Sequence, residues 1–210
     1  KISSFNHNIS KNLLERFIKK IEFRFVENTY PNYGKKFNLE SKNNLKKILI
    51  EGQWLPSKKN QVFSDNDIKK ISLNNLDCII KCDNGIDTAK ILDITSLGVL
   101  FFYHGDNRTL KGGPNGFWEV LDNHPSSGFT ILKLNGEFND DDVLYRGNIV
   151  TEKFWLLNHA QLLEKSNIFF KNLLDKIAIN GKITLFEKKI TYKKKISRLG
   201  VLALTKYFFL

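Results

Sequence analysis

The chain has 210 residues, 41% of them hydrophobic and 26% charged, a mix that excludes wholesale disorder and is long enough for one well-buried domain with an appendage. Its formal charge is +11, from 33 Lys+Arg against 22 Asp+Glu, which raises nucleic acid or an anionic membrane as partners. The lysines are scattered in pairs such as Lys19-Lys20, Lys58-Lys59 and Lys69-Lys70, and only 188–195 forms a patch, so no nucleic-acid partner is expected, although tRNA stays open. No apolar run approaches the ~20 residues needed to span a bilayer. Residue 1 is Lys and methionine is absent, which reads as a fragment or a processed product. Cys78 and Cys82 lie too far apart along one strand to bond each other, so reduced thiols and a cytoplasmic setting are expected.

In chain order, Ser10 opens a predicted amphipathic helix over 10–26, with Leu13, Leu14, Phe17, Ile18, Ile21 and Phe25 toward the core. Residues 28–41 are a loop, 46–50 a short strand or helix end, and 52–60 another loop. Ser64-Asp65-Asn66-Asp67 caps a short helix that carries Ile68 and Ile71. A buried strand follows at 76–81, then a helix at 86–97 stopped by Gly98, then an apolar strand at 98–103. This alternation predicts crossover connections and a parallel pair of strands. Phe117–Leu121 reads as helical, 129–134 and 143–150 as strands, and 158–178 as a helix with an apolar stripe from Leu162 to Ile177, stopped at Asn180-Gly181. The fold class is α/β: an open, mostly parallel sheet flanked by helices, with a helical C-terminal extension. Residues 1–60 hold the N-terminal helix and an incomplete first part of the domain, 61–155 the core, and 156–210 the last helix and a basic tail.

The stretch Gly98–Glu119, GVLFFYHGDNRTLKGGPNGFWE, carries the chemistry. His104 ends an apolar strand and faces a glycine-rich loop, which is where open α/β sheets place their sites. An imidazole there can move a proton near neutral pH. Asp106-Asn107-Arg108 follow it, and Asn139-Asp140-Asp141 end a later strand, so a carboxylate could orient the ring. The same oxygens could hold a metal, but consecutive aspartates diverge and no metal is expected. Gly112-Gly113-Pro114-Asn115-Gly116 could cradle a phosphate but lacks the Lys and Ser/Thr of a P-loop; its alternative role is to fold Trp118 back onto the core. His7, His124 and His159 have no supporting context and read as surface or helix residues.

HGDNRTLKGGPNGFWEVL, with Gly128-Phe129-Thr130 and an acidic loop before Val143-Leu144, resembles the formyltransferase catalytic domain, in a divergent bacterial branch. The resemblance spans about residues 60–165. It implies transfer of a formyl group from 10-formyltetrahydrofolate, as co-substrate, to an amine, possibly of an amino sugar or nucleotide sugar. It also implies that the first strand of the family's domain precedes this chain. His104 stands for the family histidine, and Asn139 or Asp140 for its aspartate. Asp106, Asn107, Arg108, Gly112, Gly113, Pro114 and Trp118 would contact donor or acceptor. Phe102 stands where the family has an asparagine, which would polarise the formyl oxygen, and Asn139 is an amide where a carboxylate is usual. The alternative is therefore an inactive formyltransferase-like module that binds a ligand or a partner enzyme.

Overall fold

The computed structural model describes residues 2–35, 45–50, 52–55, 60–82, 90–105, 114–135, 142–184, 186 and 200–210. The first helix, α1 (Ile2–Thr29), contains the expected 10–26 segment and extends beyond it at both ends. Its buried face differs from the expected one. Ile18, Glu22 and Val26, spaced four apart, point inward, whereas Leu13, Phe17, Ile21 and Phe25 are between 43% and 61% exposed. The apolar pattern misled because a carboxylate, not a hydrocarbon, occupies the central inward position.

The expected loop at 52–60 contains β1 (Gln53–Leu55) and the first residue of β2 (Asn60–Val62), paired antiparallel; three-residue strands are too short to show a period. The expected cap at Ser64 is present on α2 (Asp65–Ser72). Ser64 Oγ accepts from the Asp67 N–H at 3.2 Å and the Asp67 carboxylate accepts from the Ser64 N–H at 3.0 Å, satisfying two otherwise orphaned donors. The described part of the expected 86–97 helix, 90–97, is instead a run of turns. Its backbone N–H groups do not build a helical ladder: Leu97 donates to Asp77 O at 3.0 Å and Gly98 to Thr95 O at 3.2 Å. Gly98 then takes a φ of +81°, where a side chain would be strained.

The main sheet is built from β3 (Ile79–Lys81), β4 (Val99–Tyr103), β5 (Ser126–Lys133) and β6 (Asp142–Val150), in that spatial order. β3 and β4 form the expected parallel pair. β5 and β6 join antiparallel, so this open sheet is mixed in direction. Leu100, on β4, packs with Ile131, Leu144 and Ile177 under the long helix α4 (Trp155–Asn180), while Val99 faces Ile71 of α2 and Ile91 on the opposite side. Helices or turns thus cover both faces. α4 begins three residues before Asn158 and ends at Gly181 in the left-handed conformation, as the Asn-Gly pair predicts. Ile168 and Phe169 of its expected stripe are 58% and 38% exposed, although the Phe169 ring still meets Phe129 and Tyr145 of the sheet.

At one end, α1, α3 (Phe117–Leu121) and α5 (Val201–Phe208) gather around the start of α4. The fully buried Phe117 ring sits 5.1 Å from the Trp155 ring and 5.3 Å from the Tyr207 ring, edge-on to the first and tilted to the second. α5 was not anticipated from the lysine-rich tail, whose patch at 188–195 lies outside the described residues. No described helix is long and apolar enough to cross a membrane.

Gly147 explains one close approach. It pairs with Phe129, and a Cβ there would lie 2.3 Å from the Phe129 ring, which is wholly buried against Phe102, Tyr145 and Phe169. Gly147→Ala is expected to cost about 1–3 kcal/mol by overpacking, read as a lower denaturant midpoint at unchanged slope.

Candidate functional site

His104 follows β4 directly, and the alternation of the strand decides what it faces. Leu100, Phe102 and His104 share the side that looks toward α4. The His104 ring stacks on Phe102 with centroids 4.4 Å apart, and Phe102 in turn meets Phe170 of α4 edge-on at 5.4 Å. Phe102 is therefore a packing residue and a hydrophobic floor for the imidazole. It supplies no hydrogen bond to a reacting carbonyl. The position one residue on is also tied down: Thr130 Oγ1 donates to Gly105 O at 3.4 Å across the β4–β5 pair.

Burial sets the chemistry of the ring. The desolvation of His104, and secondarily the charge that His159 would carry, push its pKa down from 6.5 to about 4. The imidazole is thus neutral at physiological pH, able to accept a proton but a poor cation, which shifts the expected near-neutral titration downward. Its Nε2 is buried and finds no hydrogen-bond partner among the described residues.

His159, read as a surface or helix residue, is a half-buried residue on the first turns of α4, and its partner is what the sequence did not show: Nδ1 lies 3.0 Å from the Tyr33 hydroxyl, with the ring edge-on to that of Tyr33. Burial, then the nearby Lys19, push its pKa down to about 4 as well. Burial raises the Tyr33 phenol, so both groups stay neutral at pH 7. His124 is exposed, as expected.

Of the other expected site residues, Asp106, Asn107, Arg108, Gly112, Gly113, Asn139 and Asp140 lie outside the described residues. Pro114 lines a cleft between α1 and α4. Trp118 packs edge-on to Phe117, consistent with its alternative role of folding back onto the core, and its buried Nε1 has no partner among the described residues.

The loop that follows the glycine-rich segment is fixed by a buried polar hub. Asn158, wholly inaccessible, donates from Nδ2 to Gly116 O at 2.9 Å and to Ser127 Oγ at 2.8 Å, and its Oδ1 accepts the Glu152 N–H at 3.1 Å. Both amide hydrogens and the carbonyl oxygen are engaged, so no polar atom of this buried amide is left without a partner. Gly116 makes this possible: its φ of +72° and the 2.9 Å from a would-be Cβ to Asn158 Nδ2 leave no room for a side chain. Trp155 Nε1 adds a bond to Asn115 O at 3.2 Å.

A second hub caps α4. Its N-cap, Phe154, offers no side-chain oxygen. Instead Glu22 of α1 accepts the Leu156 N–H at 2.7 Å, Tyr207 of α5 accepts the Trp155 N–H at 2.7 Å, and the Tyr207 hydroxyl donates to Glu22. Burial pushes the Glu22 carboxyl up, against the pull of both bonds. Glu22→Ala is expected to destabilise by about 2–4 kcal/mol in thermal melts, since it orphans an N–H and a hydroxyl; Glu22→Gln should recover part of that. Neither Glu22, Tyr33, Tyr207 nor Asn158 was anticipated. The one available signal was the four-residue spacing of Ile18, Glu22 and Val26.

No family model and no curated protein matches the sequence. Solved structures do. A candidate sugar N-formyltransferase from Mycobacterium tuberculosis superposes with a TM-score of 0.50 at 14% identity, over 63% of this chain and 56% of that one. The fold is formyltransferase-like. Methionyl-tRNA formyltransferase from Clostridium thermocellum aligns at TM-score 0.47 and 12% identity, over 69% of this chain and 66% of its own. A formyltransferase from Anoxybacillus kamchatkensis, solved with a UDP-linked formamido sugar and tetrahydrofolate, aligns at 0.46 and 17%, over 66% and 71%. The chain spans between 43% and 71% of the formyltransferases it matches, and at such low identity it is a divergent example of the formyltransferase-like fold.

Proposed function

We propose that this chain belongs to an enzyme that moves a formyl group from 10-formyltetrahydrofolate to an amine, with an amino sugar or nucleotide sugar as the acceptor. The observation that carries the reading is His104: a half-buried imidazole at the end of β4, neutral at physiological pH, with one buried ring nitrogen unpartnered among the described residues, on a formyltransferase-like fold. In this reading the acceptor's amine lone pair attacks the formyl carbon while the carbonyl electrons move to oxygen. Neutral His104 takes the proton from the attacking nitrogen and returns one to N10 of the folate as that C–N bond breaks. Asn139 or Asp140 would orient the ring, and Asp106, Asn107, Arg108, Gly112, Gly113 and Pro114 would contact donor and acceptor. The test is turnover of 10-formyltetrahydrofolate with amino sugars and nucleotide amino sugars, together with folate binding. Neither turnover nor folate binding by the full-length protein would end the proposal.

A second reading has its own support. By the resemblance Phe102 would stand where the family has a polarising amide, and its ring is packed between His104 and Phe170. Loss of one such donor typically costs about 10²–10³ in rate. Folate binding without turnover would favour an inactive binding module.

A further inference from the structure

α1 and α5 each put one side into the cluster around Phe117, through Ile18, Leu204 and Tyr207. The outer side of α1 carries Leu13, Phe17, Ile21 and Phe25, a ridge of hydrocarbon at every fourth position, and each is at least 43% exposed. α5 joins this ridge through Phe208, whose ring lies 6.0 Å from that of Phe17, and exposes Leu202 and Phe209 almost fully, at 85% and 84%. Between α1, α5 and the end of β6 runs a groove near 960 Å³, with apolar walls from Ile21, Phe25, Val150, Phe154 and Phe208. Exposed hydrocarbon on this scale marks a docking surface. Cations flank it. Arg16, Lys20 and Arg24 form an exposed row beside the ridge, and Lys206 shares the outer face of α5 with Leu202 and Phe209. Lys153 lies exposed at the rim of the groove, 5.7 Å over the Phe154 ring. The carboxylates nearby are mostly committed: Glu22 is buried in the α4 cap, Glu15 is bonded to Lys19 and Glu152 to Gln161. That leaves Glu27 as the exposed acid among the described side chains of α1.

We propose that this face docks on an anionic lipid surface, with the ridge of α1 and the outer face of α5 set among the headgroups and the cations on lipid phosphates. A helix with Phe, Leu and Ile on one strip and Lys and Arg beside it lies in the plane of a membrane interface without spanning it. Both attractions are non-directional. Long-stemmed cations follow anionic headgroups, and the ridge side chains carry no hydrogen-bonding group that would fix a protein partner in one orientation. Charge also argues against a second copy. An antiparallel two-fold pair of α1 helices would set Arg16, Lys20 and Arg24 against their own equivalents, a repulsion that lipid phosphate turns into attraction. The chain's net charge of +11 has the same sign as this flank. The assignment stands apart from formyl transfer: the face would bind lipid in a chain that had lost the chemical step.

The test is co-sedimentation of the full chain with vesicles of phosphatidylcholine and phosphatidylglycerol in equal parts, beside vesicles of phosphatidylcholine alone. The mixed vesicles should bind at least ten-fold more tightly, and less so as salt rises. Leu13→Ser/Phe17→Ser should lose ten-fold or more with its net charge and circular dichroism unchanged. Leu202→Ser/Phe209→Ser removes two side chains that the core does not hold, and should lose affinity in the same way. Lys20→Glu/Arg24→Glu should lose at least ten-fold, whereas the same two-charge reversal on α2, Lys69→Glu/Lys70→Glu, should lose far less. No binding to the mixed vesicles would overturn the proposal and leave the face to a protein. Equal binding to both vesicles, equal loss in the two charge-reversed variants, or undiminished binding by both serine variants would each overturn it as well. A serine variant of α1 that keeps vesicle binding but ends self-association would overturn it in favour of a second copy. None of these outcomes depends on whether the protein turns over a folate.

Discussion

His104→Ala is expected to slow formyl transfer by about 10²–10⁴-fold, the usual contribution of a positioned acid–base group. The imidazole has two roles in the structure, a stacked ring on Phe102 and a titratable nitrogen, and the test must separate them. His104→Phe keeps the ring and removes the nitrogen, so it should be as inactive as alanine while melting closer to the parent. Retention of full turnover in either variant would remove His104 from the mechanism. Because the ring titrates near 4, the rate should carry no His104 limb between pH 6 and 8, and any loss assigned to it should appear on the acid side.

The second large effect is acid lability. His104 and His159 both have pKa values lowered from 6.5 to about 4 in the folded chain. Between these values the unfolded chain binds a proton at each position and the folded chain does not, so stability falls as pH falls through this window and is independent of these groups above it. Each shift corresponds to up to about 3 kcal/mol, against total stabilities of about 5–15 kcal/mol. Chemical denaturation at steps between pH 7 and 4 should therefore show a steep decline, about halved in slope by His159→Gln. Glu22 acts in the opposite sense, since its raised pKa makes the folded chain the better proton binder, and it softens the decline without reversing it. A flat profile from pH 7 to 4.5 would contradict the burial of both imidazoles.

Legibility in the sequence followed the physics of each signal. Strong local rules worked: the Ser64–Asp67 box, the Asn180-Gly181 stop and the apolar run ending at His104 all depend on neighbours in sequence. The parallel β3–β4 pair was also legible, because a connection of this length points to a crossover. What stayed hidden depends on distant partners. The apolar residues of α1 pointed to one face, but the buried face is chosen by Glu22, whose partners Leu156 and Tyr207 are more than 130 residues away. His159 read as ordinary because its meaning comes from Tyr33, 126 residues earlier. Strand direction in β5 and β6 was equally invisible, since alternation is the same in parallel and antiparallel pairs.

The cap on α4 joins residues 185 positions apart, at Glu22 and Tyr207. Closing a flexible loop of that size costs about 5 kcal/mol in chain entropy, more than the bonds of the cap return, so it cannot nucleate folding. It can form only after the sheet and α4 have brought both ends of the chain within reach. A contact made that late leaves the rate of folding nearly untouched and governs instead how slowly the finished molecule comes apart. The ring of helices around Phe117 is, in this sense, a latch: it sets the lifetime of the native state more than the ease of reaching it.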